Sequence, residues 1–312
     1  MSAAGNASTR TSTSSGTGTG TGTGTASTAR DAPAVTIRAL PRQRRHTLHF
    51  LAGLRDFAPV FLDTEVDMGA VLEHRAAARA DQHSYSVSGY VLHTAARVLA
   101  AHPEANGAIR GRLRPRVARY GTVNGKLAFD RTLGGVRVVL TAVLPDLANC
   151  SLDEIQQQVD RLRDGDPEQL KEFAGARMLH KLPVPNGRLL SRMATRPLRR
   201  RAALLGTFAV SSLGHRPIDG FYSIGGTTVT LGLGQIAQRP VARGSAVVIA
   251  PVLRLSLTFD HRVIDGAEAA DVLAEIKTGL ENFPAVPDAG HPAPPATREP
   301  AAAGAEKAAS RS

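Results

Sequence analysis

The chain has 312 residues and a net charge of +11, with 42% hydrophobic but only 4% aromatic residues. That is enough apolar material to fill a core, so a chain disordered throughout is excluded. A single cysteine, Cys150, excludes a disulfide framework and any site built from several thiolates. No apolar run approaches the ~18 residues of a membrane span, and no charged-then-apolar leader opens the sequence, so a cytoplasmic protein without membrane contact is expected. The charge suits acidic partners such as nucleic acid, anionic lipid or a phosphate-bearing cofactor, and suits equally a genome biased toward arginine.

Residues 1–39, rich in Gly, Ser and Thr, have nothing to bury against the entropy of ordering and read as a disordered tail. Residues 284–312, rich in Pro and Ala, read the same way, which leaves one folded domain at 40–283. Within it, Ala58–Val66 alternates apolar and polar residues as a strand does, and Met68–Ala80 follows as a helix with Asp67 available as its N-cap. Tyr90–Ala101 has helical apolar spacing and stops before His102-Pro103. Strands are expected near Arg116–Tyr120, Lys126–Asp130 and Val136–Leu144. Ser151 with Glu154 three residues on is a capping-box signature for a helix to about Leu162. Pro167–Leu179 and the basic Gly187–Leu205 are helical stretches, the second interrupted at Pro197. Thr207–Ser211, Thr227–Gln235 and Ala246–Thr258 are strands, closed by a helix over Ala267–Asn282. Strands and helices in runs imply an α+β fold with a sheet covered on one face.

Two segments can carry chemistry. Leu255–Ala267, LSLTFDHRVIDGA, brings a strand to its end at Asp260-His261, with Asp265 four residues later and Gly266 before a helix. A histidine so placed, titrating near neutrality, can take a proton from a thiol or alcohol, and Asp265 can steady the turn that holds it. A His-Arg-Asp cluster at a strand end can also be a surface ion-pair group. Gly206–Gly214, GTFAVSSLG, ends a strand in two serines before a glycine; their hydroxyls can donate to an oxyanion or simply close a turn.

In this order, DHRVIDGA, GTFAVSSLG about fifty residues before it, and AAHPEANGAI at 100–109 resemble the acyltransferase catalytic domain of the E2 components of 2-oxo acid dehydrogenase complexes. RRHTLHF at 44–50, PVFLDTEVDM at 59–68 and SLDEIQQQV at 151–159 extend the resemblance over residues 42–283. It implies a two-layer fold like that of chloramphenicol acetyltransferase, a mixed sheet covered by helices. It implies His261 as the general base and Ser211 as the hydroxyl that steadies the tetrahedral oxyanion. Asp265 becomes the carboxylate holding the active-site loop, with Arg45 or the adjacent Arg262 as its partner. No acyl-enzyme is implied. Acyl-CoA, most simply acetyl-CoA, is the implied co-substrate, and a homotrimer with sites between subunits is the implied assembly.

The sequence departs from that family in several places. Residues 1–40 contain no lysine, so no lipoyl attachment site is expected there. Ile224-Gly-Gly-Thr-Thr stands where the family has an Asn-Pro-Pro segment, and GGVRVVL stands around Val136 where Val-Pro-Val is usual. These departures favour a stand-alone enzyme that acylates a hydroxyl on a small-molecule or carrier-protein-bound acceptor, for example a tetronate or tetramate hydroxymethyl in specialised metabolism. The alternative is an E2 core whose lipoyl domain sits on another polypeptide.

Arg188, Arg192 and Arg196, with Arg199 and Arg200, place most of their charge on one helical face. That face can bind CoA phosphates or an acidic carrier protein, or can be merely solvated, with Leu189, Leu190, Met193 and Leu198 as core contacts. His46 and His49 have helical spacing but no accompanying carboxylates, so no metal is expected. Cys150 reads as a packing residue. GLGQI at 232–236 is an incomplete dinucleotide fingerprint within a strand. Nucleic acid is not an expected partner, because stacking aromatics are scarce.

Overall fold

The computed structural model describes residues 38–111 and 113–283. The tails expected at 1–39 and 284–312 lie outside the described residues, apart from Arg38 and Ala39. The chain runs through α1 (Arg45–Gly53), β1 (Pro59–Asp67), α2 (Gly69–Ala80), α3 (Val87–Ala101), β2 (Gly107–Arg110) and β3 (Arg116–Arg119). It continues as β4 (Gly125–Leu133), β5 (Val136–Leu144), α4 (Leu152–Asp164), α5 (Ala174–Lys181), α6 (Val184–Thr195) and α7 (Leu198–Leu205). The last part is β6 (Phe208–Ser212), β7 (Val229–Arg243), β8 (Ala246–Asp260) and α8 (Gly266–Glu281). Six strands form one mixed sheet in the order β1-β8-β7-β6-β4-β5, with β6 parallel to both β4 and β7 and the other pairs antiparallel. β2 and β3 pair separately. The expected α+β class with a mixed sheet is what the chain adopts.

Local chemistry explains most boundaries. Ser151 caps α4 and Glu154 reaches back to the Ser151 N–H, so the expected capping box is present in both directions. Ser86, not Tyr90, begins α3, because its hydroxyl accepts from the Gly89 N–H. Met68 rather than Asp67 is the N-cap residue of α2; the Asp67 carboxylate still accepts the Gly69 N–H at 2.9 Å. The helical stretch expected over Pro167–Leu179 is a short 3₁₀ turn at Lys171–Phe173 followed by α5. The basic stretch divides into α6 and α7 at Arg196-Pro197, since proline lacks the N–H that would continue the ladder.

The sheet is covered on one face only toward its edges. β5 alternates buried and exposed residues, and β1 alternates half-buried and exposed ones over most of its length. At the centre, Val229–Gly234 of β7 and Leu255–Asp260 of β8 are continuously buried, as strands enclosed on both faces are. One face packs against α3 and α8, whose Tyr90, Leu92, Leu99 and Leu280 are fully buried. The other is covered by the 213–228 segment, lying directly on β7. A Cβ at Gly234 would come within 1.9 Å of the Asp219 carbonyl, and one at Gly232 within 2.2 Å of the Phe221 carbonyl. The GLG triplet is therefore a seat for a loop, which is the physical reason coverage is two-sided here.

Candidate active site

β8 delivers Asp260 and His261 at the end of the sheet, and the His261 N–H still donates to the Ala58 carbonyl at 2.9 Å, extending the pairing with β1. The imidazole is about half exposed, at 48% of its side-chain surface, so it is open to a reactant while its backbone is held. Its Nδ1 lies 3.4 Å from Oδ1 of Asp265, which stands at the N-cap of α8. Asp265 makes no side-chain bond to the helix amides. Its carboxylate faces the histidine, as the four-residue spacing suggested.

Asp260, which the sequence reading left without a role, organises this turn. It is buried, and Arg262 grips it with Nε on Oδ1 at 2.8 Å and Nη2 on Oδ2 at 2.5 Å, while the Arg262 N–H donates to Oδ1 at 3.3 Å. A planar guanidinium meeting a carboxylate in this two-point fashion fixes direction as well as distance. His261 is therefore flanked by two residues locked to each other. The signal was present in the sequence, since residues two apart at a strand end point the same way.

Among the described residues neither arginine expected beside Asp265 pairs with it. Arg262 is committed to Asp260, and Arg45 donates to the Leu182 carbonyl at 2.7 Å and the His180 carbonyl at 3.2 Å. Those carbonyls close the end of α5, where unsatisfied acceptors attract a cation. The neighbouring His46 bonds His180 Nε2 at 2.8 Å and the Val139 carbonyl at 2.9 Å. Burial pushes the His180 pKa down to about 4, with the charges of His46 and Arg45 acting in the same direction. His49 is buried against Gly187, where a Cβ would come within 2.6 Å of its Nε2, and burial first, then Arg188, lowers its pKa. Among the described residues no cluster of three or more His, Cys, Asp or Glu could hold a metal ion.

Ser211 lies on β6 and is half-buried. Its register partners are Gly232 on β7 and, through it, Ser256 on β8. His261 lies five positions beyond Ser256, which is about 17 Å along the strands at ~3.3 Å per residue, with two strand spacings between them. One chain does not bring the serine and the histidine together.

A second feature was missed by the sequence reading. Lys126 on β4 is buried, its Nζ donates to the Gly225 carbonyl, and it stands 5.1 Å over the Phe50 ring. Burial pushes its pKa down to about 7, with Arg201 adding to the effect. Arg201 donates to the Gly226 carbonyl at 2.9 Å. Two side-chain donors thus hold the Gly225-Gly226 pair. Gly226 has φ +75°, and a Cβ there would lie 2.9 Å from Phe50, so both conformation and space require glycine.

The AAHPEANGAI segment locks neighbouring elements. His102 bonds Glu268 at 2.9 Å and Glu275 at 3.2 Å on α8; burial opposes its charge, but the two carboxylates hold its pKa above the ordinary value. Asn106 donates to the Tyr120 and Thr122 carbonyls, and Thr228 donates to the Gly107 carbonyl at 2.6 Å.

Arg188, Arg192 and Arg196 are exposed on α6 and its C-cap. Leu189, Leu190 and Met193 are not core contacts: they are 61%, 37% and 64% exposed. Helical spacing places them together, but the face turned inward is the one bearing Gly187, Ser191 and Thr195.

Residues 187–286 match the family model for the 2-oxoacid dehydrogenases acyltransferase catalytic domain. The dihydrolipoyllysine-residue acetyltransferase component of the Staphylococcus aureus pyruvate dehydrogenase complex is 52% identical over 52 residues, 17% of this chain and 12% of that protein. A probable dihydrolipoamide acetyltransferase from Listeria monocytogenes has a similar fold, with a TM-score of 0.60 at 19% identity over 80% of this chain and 95% of that one. The Azotobacter vinelandii dihydrolipoamide acetyltransferase gives 0.61 at 22% identity over 80% and 92% of the two chains. From α6 through α8, then, the chain is similar in sequence to the acyltransferase catalytic domain of the 2-oxoacid dehydrogenases, and over about four fifths of its length it shares the fold of two such acetyltransferases.

Proposed function

We propose that this protein is an acyltransferase that moves an acyl group, in the simplest case acetyl, from CoA to a hydroxyl of a small-molecule or carrier-bound acceptor. The observation that carries this reading is His261: an imidazole half-open to solvent, its backbone fixed at the end of a central strand, facing a carboxylate within the family-matched segment. His261 takes the proton of the incoming hydroxyl as its oxygen attacks the thioester carbonyl. The carbonyl electrons move onto oxygen, and the collapsing intermediate expels CoA as thiolate, which recovers the proton from His261. Ser211 donates to the oxyanion, a contact worth about 2.7–4 kcal/mol in the transition state. Asp265 is a positioning residue for the imidazole.

The separation of Ser211 from His261 within one chain supports a site assembled between subunits, the serine supplied by a neighbour in a homotrimer. Arg45 is then a support of the helical layer around α5 rather than of Asp265. A second reading, an E2 core exchanging acyl groups between dihydrolipoyl and CoA, is favoured by the 52-residue match to the staphylococcal component. The two are separated by comparing dihydrolipoamide with hydroxylated acceptors while following CoA thiol release from acetyl-CoA. Preference for a hydroxyl acceptor supports the first reading; efficient transfer to dihydrolipoamide replaces it with the second.

A further inference from the structure

Acidic side chains are absent from a long contiguous part of this chain. Between Glu172 and Asp219 there are nine Lys and Arg and no Asp or Glu, so residues 173–218 hold nine of the eleven net positive charges. α6 lies within that part and is turned the wrong way for an ordinary surface helix. Its inward side bears Gly187, Ser191 and Thr195, buried or half-buried, four residues apart. At 100° per residue the opposite side bears Leu189 and Met193, which are the apex of the outward face at 61% and 64% exposure. Arg188 and Arg192 border them along one side, and Arg196, Arg199 and Arg200 continue the positive charge past the C-terminal end of the helix.

An apolar patch bordered by arginine has the composition of a protein interface, where Met and Arg are enriched and the rim is polar. A second copy presents the same unbalanced charge, so like sign would meet like sign if this patch paired with itself. An anionic membrane would suit the charge, but helices that lie in a lipid interface carry Trp, Phe or Leu over a longer face, and α6 has twelve residues and no aromatic side chain. Charge and shape together fit a compact acidic protein.

We infer that the outward face of α6, Leu189 and Met193 with the arginines that border them, is the docking site for an acidic carrier protein that brings an acyl group on a thioester arm. This deepens the acyl-transfer reading and rests on it for the carrier's role, while the docking itself is separately measurable. Arginine steers the encounter over a Debye length, and the two apolar side chains, desolvated on contact, slow release.

The experiment uses the full chain and, as probe, an acidic acyl carrier protein in its phosphopantetheinylated, acetylated form. Binding is measured at low and at physiological salt for the wild type, for Arg188→Glu/Arg192→Glu, and for Leu189→Ser/Met193→Ser. The expected result is binding that weakens with salt and about tenfold or more in each variant. Leu189→Ser/Met193→Ser should release thiol from free acetyl-CoA at the wild-type rate, so a failure of the acyltransferase reading shows as no thiol release from any form and leaves the binding data interpretable. No binding of the carrier, or wild-type affinity in both variants, overturns the proposal. So does binding only to phosphatidylglycerol vesicles, or a change of sedimentation coefficient in Leu189→Ser/Met193→Ser, which would give α6 to a membrane or to a second copy.

Discussion

Ser211 and His261 share one sheet but sit about 17 Å apart along its strands, five register positions separating His261 from the level of Ser211. A base and an oxyanion donor at that distance do not act on one carbonyl. In the proposed mechanism each chain is therefore half of two sites. His261→Ala and Ser211→Ala homo-oligomers should each be nearly inactive, and mixed oligomers formed by co-expression should regain about a quarter of wild-type thiol release, the chance that two intact halves meet. No recovery in verified mixed oligomers would return both groups to one chain or remove one of them.

His261→Ala alone should lower turnover by about 10²–10⁴-fold, the usual worth of a positioned base. Since the ring is half-exposed and bonded to no buried group, the midpoint of thermal unfolding should stay within a degree or two. Ser211→Ala should act on kcat more than on KM for acetyl-CoA, because the oxyanion exists only in the transition state. An effect confined to KM would assign Ser211 to binding.

Asp260→Asn removes the charge that Arg262 grips while keeping the shape. It should cost about 1.5–3 kcal/mol of stability, the range for hydrogen bonds to a charged group. As a positioning residue for His261, it should also depress kcat with little change in KM. Loss of stability without that kcat effect would make the Asp260–Arg262 pair structural only.

Lys126 gives a pH dependence of definite sign. Burial lowers its pKa from 10.5 to about 7, so between pH 7 and 10 the folded chain lacks a proton that the unfolded chain holds. Stability contributed by this group therefore rises with pH through that window, by up to about 1.4 kcal/mol per unit. Lys126→Met should remove that slope from the wild-type-minus-variant difference in urea unfolding and should be most stabilising at the acid end of the window. An identical pH profile in the two proteins would mean that Lys126 stays charged in the fold.

His180 acts in the same direction at lower pH. Its pKa falls from 6.5 to about 4, so its contribution is intact above 6.5 and is lost as pH falls toward 4. His180→Gln should flatten the loss of stability between pH 6.5 and 4, measured by denaturant titration at both ends. A wild-type acid profile in the variant would place the acid sensitivity elsewhere.

Much of this architecture was legible from local chemistry. The α4 capping box, the break at Pro197, and the delivery of His261 by β8 with Asp265 four residues on all depend on neighbours in sequence. What escaped depends on distant partners. Arg45 or Arg262 was expected beside Asp265, but the open carbonyls at the end of α5 capture Arg45 from more than a hundred residues away, and Asp260 holds Arg262. Leu189 and Met193 were assigned to a core because periodicity reveals that side chains share a face, not which way the face turns. β2, four residues long, had too little alternation to register. Lys126 sat in an expected strand, and nothing local announces that its ammonium is enclosed.

The bond from His46 to the Val139 carbonyl has a bearing on how molecules of this protein avoid clumping. β5 is an outer strand of the sheet, and a bare outer strand is a template on which another chain can crystallise its own backbone. The imidazole of α1 occupies one of those open acceptors, and Arg137, paired with Asp130, adds charge nearby. At the opposite margin, β1 begins with Pro59 and turns Asp63 and Glu65 outward. Fibril-like growth from either side is thereby discouraged.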